Sequence, residues 1–128
     1  MLFIVRIGLS GLAPYTISSD ESEHADVEEI LDDLREKATV EFAELAKDKK
    51  ISPEPLLSLA CQSVRTAVET RTGIHEVRAI DPQTLLPKVA MKGPAPLEKS
   101  DEYFIELLFL TDEAVAKRDA YIDSIFNR

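Results

Sequence analysis

The distribution of apolar and polar residues predicts three to four strands. The segment LFIVRIGL, Leu2 to Leu9, is rich in branched and aromatic side chains, which is typical of a β-strand. LAPYTI follows a Ser-Gly pair and predicts the return strand of a hairpin, which Pro14 would restrict to a sheet edge. Further strands are predicted from Ile74 to Ile80 and from Tyr103 to Leu110. The last is apolar on both faces except at Glu106, so it is placed centrally in the sheet.

Helical spacing follows the hairpin. A long helix is predicted from about Asp20 to Lys49, with Ser18 or Ser19 as its N-cap. Its apolar residues keep an a/d-like rhythm, with Ile30 and Phe42 beside the stripe. The stripe consists of Val27, Leu31, Leu34, Ala38 and Leu45, and the opposite face carries Asp26, Glu29, Asp33 and Glu36.

Two more helices are predicted. The first lies in ISPEPLLSLACQSVRTAVETRTG, where Ser52 is placed at the N-cap, Pro53 at the first helical position and Gly73 at the left-handed C-terminal cap. Its predicted buried face contains Leu57, Ala60, Cys61, Val64, Ala67 and Val68. The second runs from Thr111 or Asp112 to about Phe126. Its predicted packed face contains Val115, Ile122, Ile125 and Phe126.

This order of elements predicts one α+β domain over residues 1–128. The expected fold is a small, mostly antiparallel sheet of three to four strands, with two long helices and a C-terminal helix packed on one face. The 22 residues at 81–102 hold four of the seven prolines. A structureless connection of that length is uncommon in a compact domain, so it either includes an edge strand at PKVAM or is a working surface.

Composition narrows the class of protein. With 45% hydrophobic and 30% charged residues the chain has the balance of a folded globular protein. The single cysteine, Cys61, excludes an intrachain disulfide and fits a reducing compartment. No apolar run reaches the length of a membrane span, and Arg6 interrupts the apolar N-terminal segment. We therefore expect a cytoplasmic protein without a membrane partner.

The net charge of −9 disfavours direct binding to nucleic acid and favours a basic protein partner. Much of that charge lies in SSDESEHADVEEILDD, Ser18 to Asp33, which holds eight carboxylates and no lysine or arginine. On a continuous helix Asp20, His24 and Glu28 would share one face. A metal site needs more converging ligands than these, so a solvated helix start is favoured and no metal or cofactor is predicted. Charge density is close to that of a nucleic-acid strand, but about 21 Å of helix is shorter than one turn of DNA.

Catalytic chemistry has weaker support. Cys61 with His24 or His75 would be a nucleophile and base, but the helical register buries Cys61 beside Leu57 and Val64, where a thiol is inert. The four glycines follow no nucleotide-binding spacing. A small enzyme is therefore the third hypothesis.

The first hypothesis is a non-enzymatic protein that binds another protein with a basic surface, as an inhibitor, an adaptor, or an accessory factor of a phage or bacterial system. The alternative is a nucleic-acid mimic that blocks a nucleic-acid-binding protein. The partner is predicted to contact one of two surfaces or both. One is the acidic face of Asp26, Glu29, Asp33 and Glu36, and the other is the proline-rich segment with Lys88, Met91, Lys92 and Leu97. A homodimer that pairs the Val27–Leu45 stripe is a further hypothesis, although that stripe is expected to pack on the sheet.

Overall fold

The chain begins with a β-hairpin, and the other strands come after the long helices. A computed structural model describes residues 1–8, 13–48, 52–81, 86 and 103–126, excluding the side chains at 45, 46 and 48. The elements in these ranges are β1 Leu2–Gly8, β2 Tyr15–Asp20, a 3-10 turn Glu21–Glu23, α1 Val27–Glu41, α2 Ala43–Asp48, α3 Glu54–Thr70, β3 Ile74–Ala79, β4 Phe104–Leu110 and α4 Asp112–Phe126. The predicted α+β class, with an antiparallel sheet, two long helices and a C-terminal helix, is confirmed.

The described strands form one antiparallel sheet in the order β2-β1-β4-β3. The predicted hairpin is confirmed, and β4 lies between β1 and β3 as its apolar faces indicated. Because side chains alternate across a strand, every second residue of β1 and β4 points to the same face. These residues are fully buried there: Phe3, Val5, Ile7, Ile105, Leu107 and Phe109. Phe3 and Phe109 meet edge to face, with ring centroids 5.2 Å apart.

Helices α1 and α3 cover this buried face. The apolar stripe of α1 enters the core through Leu31, Leu34 and Ala38, together with Ile30 beside it, so these residues pack on the sheet as expected. The predicted buried face of α3 is confirmed for Leu57, Ala60, Cys61, Val64 and Ala67. Both helices therefore take their positions from burial of one apolar stripe against the sheet.

The predicted ends of α3 need correction. Pro53 is the N-cap residue itself, and Ser52 Oγ accepts a bond of 3.4 Å from the Glu54 N–H. At the other end Arg71 adopts the left-handed conformation, with φ of 54°, and Gly73 does not. Gly73 is instead placed where a Cβ would lie 2.9 Å from the Phe109 carbonyl oxygen. The glycine thus permits a close approach of two backbones.

The end points of α4 agree with the prediction, but most of its predicted packed face is exposed. Only Ala114 and Val115, in its first half, are partly buried, whereas Ile122 is 41%, Ile125 49% and Phe126 79% exposed. The start of α4 is fixed by the Met1 ammonium, which donates to Asp112 Oδ1 at 2.5 Å. Beyond this point the helix buries no residue against the described part of the chain.

Candidate protein-binding surface

The acidic stretch from Ser18 to Asp33 is not one helix. Ser18 and Ser19, predicted as helix caps, lie in β2, and α1 begins only at Val27. Asp26 is the true N-cap, because its Oδ1 accepts a bond of 3.0 Å from the Glu29 N–H. Glu29 Oε2 in turn accepts a bond of 2.8 Å from the Ala25 N–H. This reciprocal pattern resembles a capping box, and the spacing Asp-x-x-Glu in the sequence would have located the helix start.

Asp20, at the end of β2, closes the 3-10 turn. Its Oδ1 accepts bonds of 2.9 Å from both the N–H and the hydroxyl of Ser22. The bond from the Ser22 N–H is the main cause that lowers the pKa of Asp20 below its ordinary value. Since Asp20 belongs to a strand, it cannot share a helical face with His24 and Glu28. Among the described residues, no group of three histidine, cysteine or acidic side chains is arranged to hold a metal ion.

A polar cluster joins β2 to α1 through a buried hydroxyl. Ser19 is 2% exposed and donates to Asp33 Oδ2 at 2.8 Å, while its Oγ lies 3.1 Å from His24 Nε2. Lys37 Nζ lies 2.8 Å from the same Asp33 oxygen. The bond from Lys37 is the main cause that lowers the pKa of Asp33, and the Ser19 bond acts in the same direction. Sequence patterns did not show this cluster, because Ser19 and Asp33 are 14 residues apart and lie on a strand and a helix.

The Ser19 cluster has the residue types of a catalytic triad but not its geometry. A triad needs the serine at one ring nitrogen of histidine and the carboxylate at the other. Here Ser19 Oγ and Asp33 Oδ2 both approach His24 Nε2, at 3.1 and 3.4 Å, and the Ser19 hydroxyl donates to Asp33. The cluster therefore holds β2 against α1 and gives no activated nucleophile.

The three groups considered for nucleophilic or acid–base chemistry do not meet. Cys61 is buried in α3, and desolvation raises the pKa of its thiol. His75 is opposite Leu108 on the face of the sheet away from α1 and α3, where its Nε2 lies 3.2 Å from Glu106 Oε2. His24 lies beside β2, at the other edge of the described sheet. No two of these three residues share a site.

Half of the eight carboxylates between Asp20 and Asp33 have cationic neighbours, two of them on α1 itself and two from other parts of the fold. Glu21 pairs with Arg71 at 2.5 Å and with the Met1 ammonium at 3.2 Å. The other three pairs are Glu28–Arg65, Asp32–Arg35 and Asp33–Lys37. This internal neutralisation, together with the break between strand, turn and helix, weighs against a continuous imitation of a phosphate backbone.

A groove of about 500 Å³ runs between β2 and α1. Val40 supplies an exposed apolar side chain to its lining, with 76% of the residue exposed. Glu36 and Glu41 lie beside Val40 and, among the described residues, make no ion pair. The complete lining is Thr16, Ile17, Ser18, Asp33, Glu36, Lys37, Val40 and Glu41.

The predicted acidic face leads into this groove. Asp26, Glu29, Asp33 and Glu36 follow one side of α1, and the last two line the groove. Asp26 and Glu29 also cap the helix, and Asp33 also holds Ser19, so Glu36 is the member without an internal role in the described part of the chain. The second predicted surface, Lys88, Met91, Lys92 and Leu97, lies outside the described residues, as does the predicted edge strand at PKVAM.

In comparisons with known proteins, neither a family model nor a curated protein nor a solved structure matches the chain. Within the described ranges, no helix has the length and apolar character needed to cross a bilayer.

Proposed function

We propose that this chain is a non-enzymatic protein-binding module that recognises a basic segment of another protein, as an inhibitor, adaptor or accessory factor. The observation that carries the proposal is the groove between β2 and α1, in which the exposed Val40 is flanked by Glu36 and Glu41. An exposed aliphatic side chain offers apolar contact area, and neighbouring carboxylates attract a cationic partner and exclude an acidic one.

The electrostatics of the groove supports a basic partner. Three carboxylates, Asp33, Glu36 and Glu41, stand against the single ammonium of Lys37. The net charge of −9 extends the same sign over the whole chain, which accelerates association with a cation at low salt. Because Glu36 and Glu41 are exposed and not paired within the described structure, their charges are available to such a partner.

The test changes Glu36 and Glu41 only, and leaves in place the acidic residues that cap α1 or hold Ser19. Affinity purification from the native host with the wild-type chain identifies a partner, and its dissociation constant is then measured with purified proteins. Replacing Glu36 and Glu41 with lysine should weaken the complex about tenfold and flatten its salt dependence, since two attractive contacts become repulsive.

The matched control carries the same change of net charge on other helices, through Glu69→Lys and Asp123→Lys, both at exposed positions. At physiological ionic strength, where charges more than about 8 Å away are largely screened, this control should bind as the wild type does. Equal affinity of the Glu36→Lys/Glu41→Lys variant and the wild type would contradict the proposal. If DNA or RNA displaced the chain from its partner, the nucleic-acid mimic would replace it.

A further inference from the structure

The main chain of β2 presents hydrogen-bonding groups to the groove. In an antiparallel pair, every second residue directs its N–H and C=O groups to the partner strand, and the residues between direct theirs away. The Glu21 N–H donates to the Met1 carbonyl at 2.8 Å. Ser19 and Ile17, which lie opposite Phe3 and Val5, are two and four residues before Glu21 and therefore also direct their main-chain groups to β1. Thr16 and Ser18 therefore direct their N–H and C=O groups away from β1.

Among the described strands β2 has a neighbour on one side only, so these groups face the groove. A contact with α1 supports this direction, because Lys37 Nζ donates to the Ser18 carbonyl at 2.6 Å. Lysine at a sheet edge is a known means by which proteins discourage pairing with another chain. The Lys37 side chain is 44% exposed, so it can leave the Ser18 carbonyl without disturbing the core.

We infer that the basic partner segment binds in extended form and adds as a strand beside β2, displacing Lys37 from the Ser18 carbonyl. This inference rests on the proposed function and specifies its mode. Every second side chain of the added strand would point to the α1 side of the sheet, toward Glu36 and Val40. The main-chain groups of Thr16 and Ser18 would supply affinity, and the acidic and apolar side chains of α1 would supply specificity.

A second copy of this chain does not fit the same edge. Pairing β2 with β2 of another copy would bring two grooves of net negative charge together, which like-charge repulsion opposes. The occupant is therefore a cationic segment from a different protein.

The test uses an eight-residue peptide of alternating lysine and valine with blocked ends, and two methylated forms. One form carries N-methyl groups on all lysines, the other on all valines, so that each loses the donors along one edge of the strand. Strand addition predicts that one methylated form binds like the parent peptide and that the other binds at least tenfold more weakly. It also predicts slower hydrogen exchange at the Thr16 and Ser18 amides when the parent peptide binds.

Variants of the protein give an independent measurement. Ser18→Pro removes the outward N–H without removing a bond to β1, and should weaken peptide binding about tenfold relative to Ser18→Ala. Lys37→Met removes the competing donor and should strengthen binding relative to Lys47→Met, which removes one exposed charge on α2.

The outcomes separate this inference from the proposed function. If both methylated peptides bind equally, or the Thr16 and Ser18 amides exchange as fast as before, strand addition is wrong. Should Glu36→Lys/Glu41→Lys still weaken binding in that case, the acidic groove stands and only the mode is refuted. If the parent peptide does not bind at all, the mode fails as well.

Discussion

Replacing Asp33 with alanine removes the acceptor that holds β2 against α1. Asp33 Oδ2 accepts the hydroxyl of the buried Ser19 at 2.8 Å, and the Lys37 ammonium lies 2.8 Å from the same atom. A hydrogen bond to a charged group contributes about 1.5–3 kcal/mol, and an i,i+4 pair on a helix surface contributes about 0.3–0.5 kcal/mol. Because His24 remains within 3.1 Å of the Ser19 hydroxyl, we expect the lower part of this range, about 2 kcal/mol in total.

The stability that Asp33 contributes should fall as the pH is lowered. The pKa of Asp33 in the folded protein is lowered from its ordinary value of 3.8, chiefly by the bond from Lys37 and then by that from Ser19. Stability linked to this carboxylate is therefore fully present above that ordinary value and is lost as the pH falls through the lower folded value. The wild type should lose more stability than Asp33→Ala between pH 5 and pH 3, and the difference between the two proteins should shrink.

Urea unfolding followed by circular dichroism measures both quantities. With a slope of about 1–3 kcal/mol per molar urea, a loss of about 2 kcal/mol lowers the midpoint by about 1 M at pH 7. Glu36→Ala, at an exposed position on the same helix, is the matched control and should change stability by less than about 0.5 kcal/mol. A double-mutant cycle with Ser19→Ala isolates the Ser19–Asp33 term. The role of Asp33 is refuted if Asp33→Ala and Glu36→Ala unfold at the same urea concentration at pH 7, or if the difference between them is as large at pH 3 as at pH 7.

Three further measurements follow from the structure. Leu34→Ala, at a fully buried position, should cost about 2–5 kcal/mol in urea unfolding, whereas Val40→Ala should stay within about 0.5 kcal/mol, and similar losses would mean that α1 does not bury Leu34. Arg71→Val should be about 1–2 kcal/mol less stable than Arg71→Gly, since only glycine tolerates a φ of 54° without strain, and equal stability would exclude that conformation. α4 exposes four large hydrophobic side chains, Tyr121, Ile122, Ile125 and Phe126, so we expect sedimentation that depends on concentration. Tyr121→Glu/Phe126→Glu should remove that dependence, and a wild type that sediments as a monomer at all concentrations would contradict self-association through α4.

Most of the fold could be predicted because the hydrophobic residues of its main elements follow a clear pattern. β1 and β4 are nearly continuous runs of branched and aromatic residues, and α3 buries one stripe at helical spacing. Such patterns reflect burial on a face that each element presents by its own geometry. The architecture then follows, because a short chain has few ways to cover one sheet with two amphipathic helices.

The prediction of one helix through the acidic stretch is wrong because local signals there favour two structures. Serine and aspartate are common helix caps, so Ser18 and Ser19 predicted a helix start. In the structure Ile17 and Ser19 alternate inward on β2, and Ser19 is buried only because Asp33, 14 residues away, accepts its hydroxyl. A contact between distant residues decides this choice, and no local pattern contains it.

The exposed end of α4 also differs from the prediction made from the local sequence pattern. Ile122, Ile125 and Phe126 have the spacing of a packed helix, but periodicity reports only that a helix has an apolar face and not what covers it.

The contacts that the carboxylates make also explain why charge alone does not identify a binding surface. Asp26 and Glu29 satisfy backbone donors at a helix start, and Asp33 satisfies a buried hydroxyl, so each would be selected for stability even without a partner. Glu36 and Glu41 have no such role in the described structure, and both border the exposed Val40. Charge reversal at the first three residues mixes folding with binding, whereas reversal at Glu36 and Glu41 alters the groove alone. The groove, and not the density of acidic residues, is therefore where a test of function has to begin.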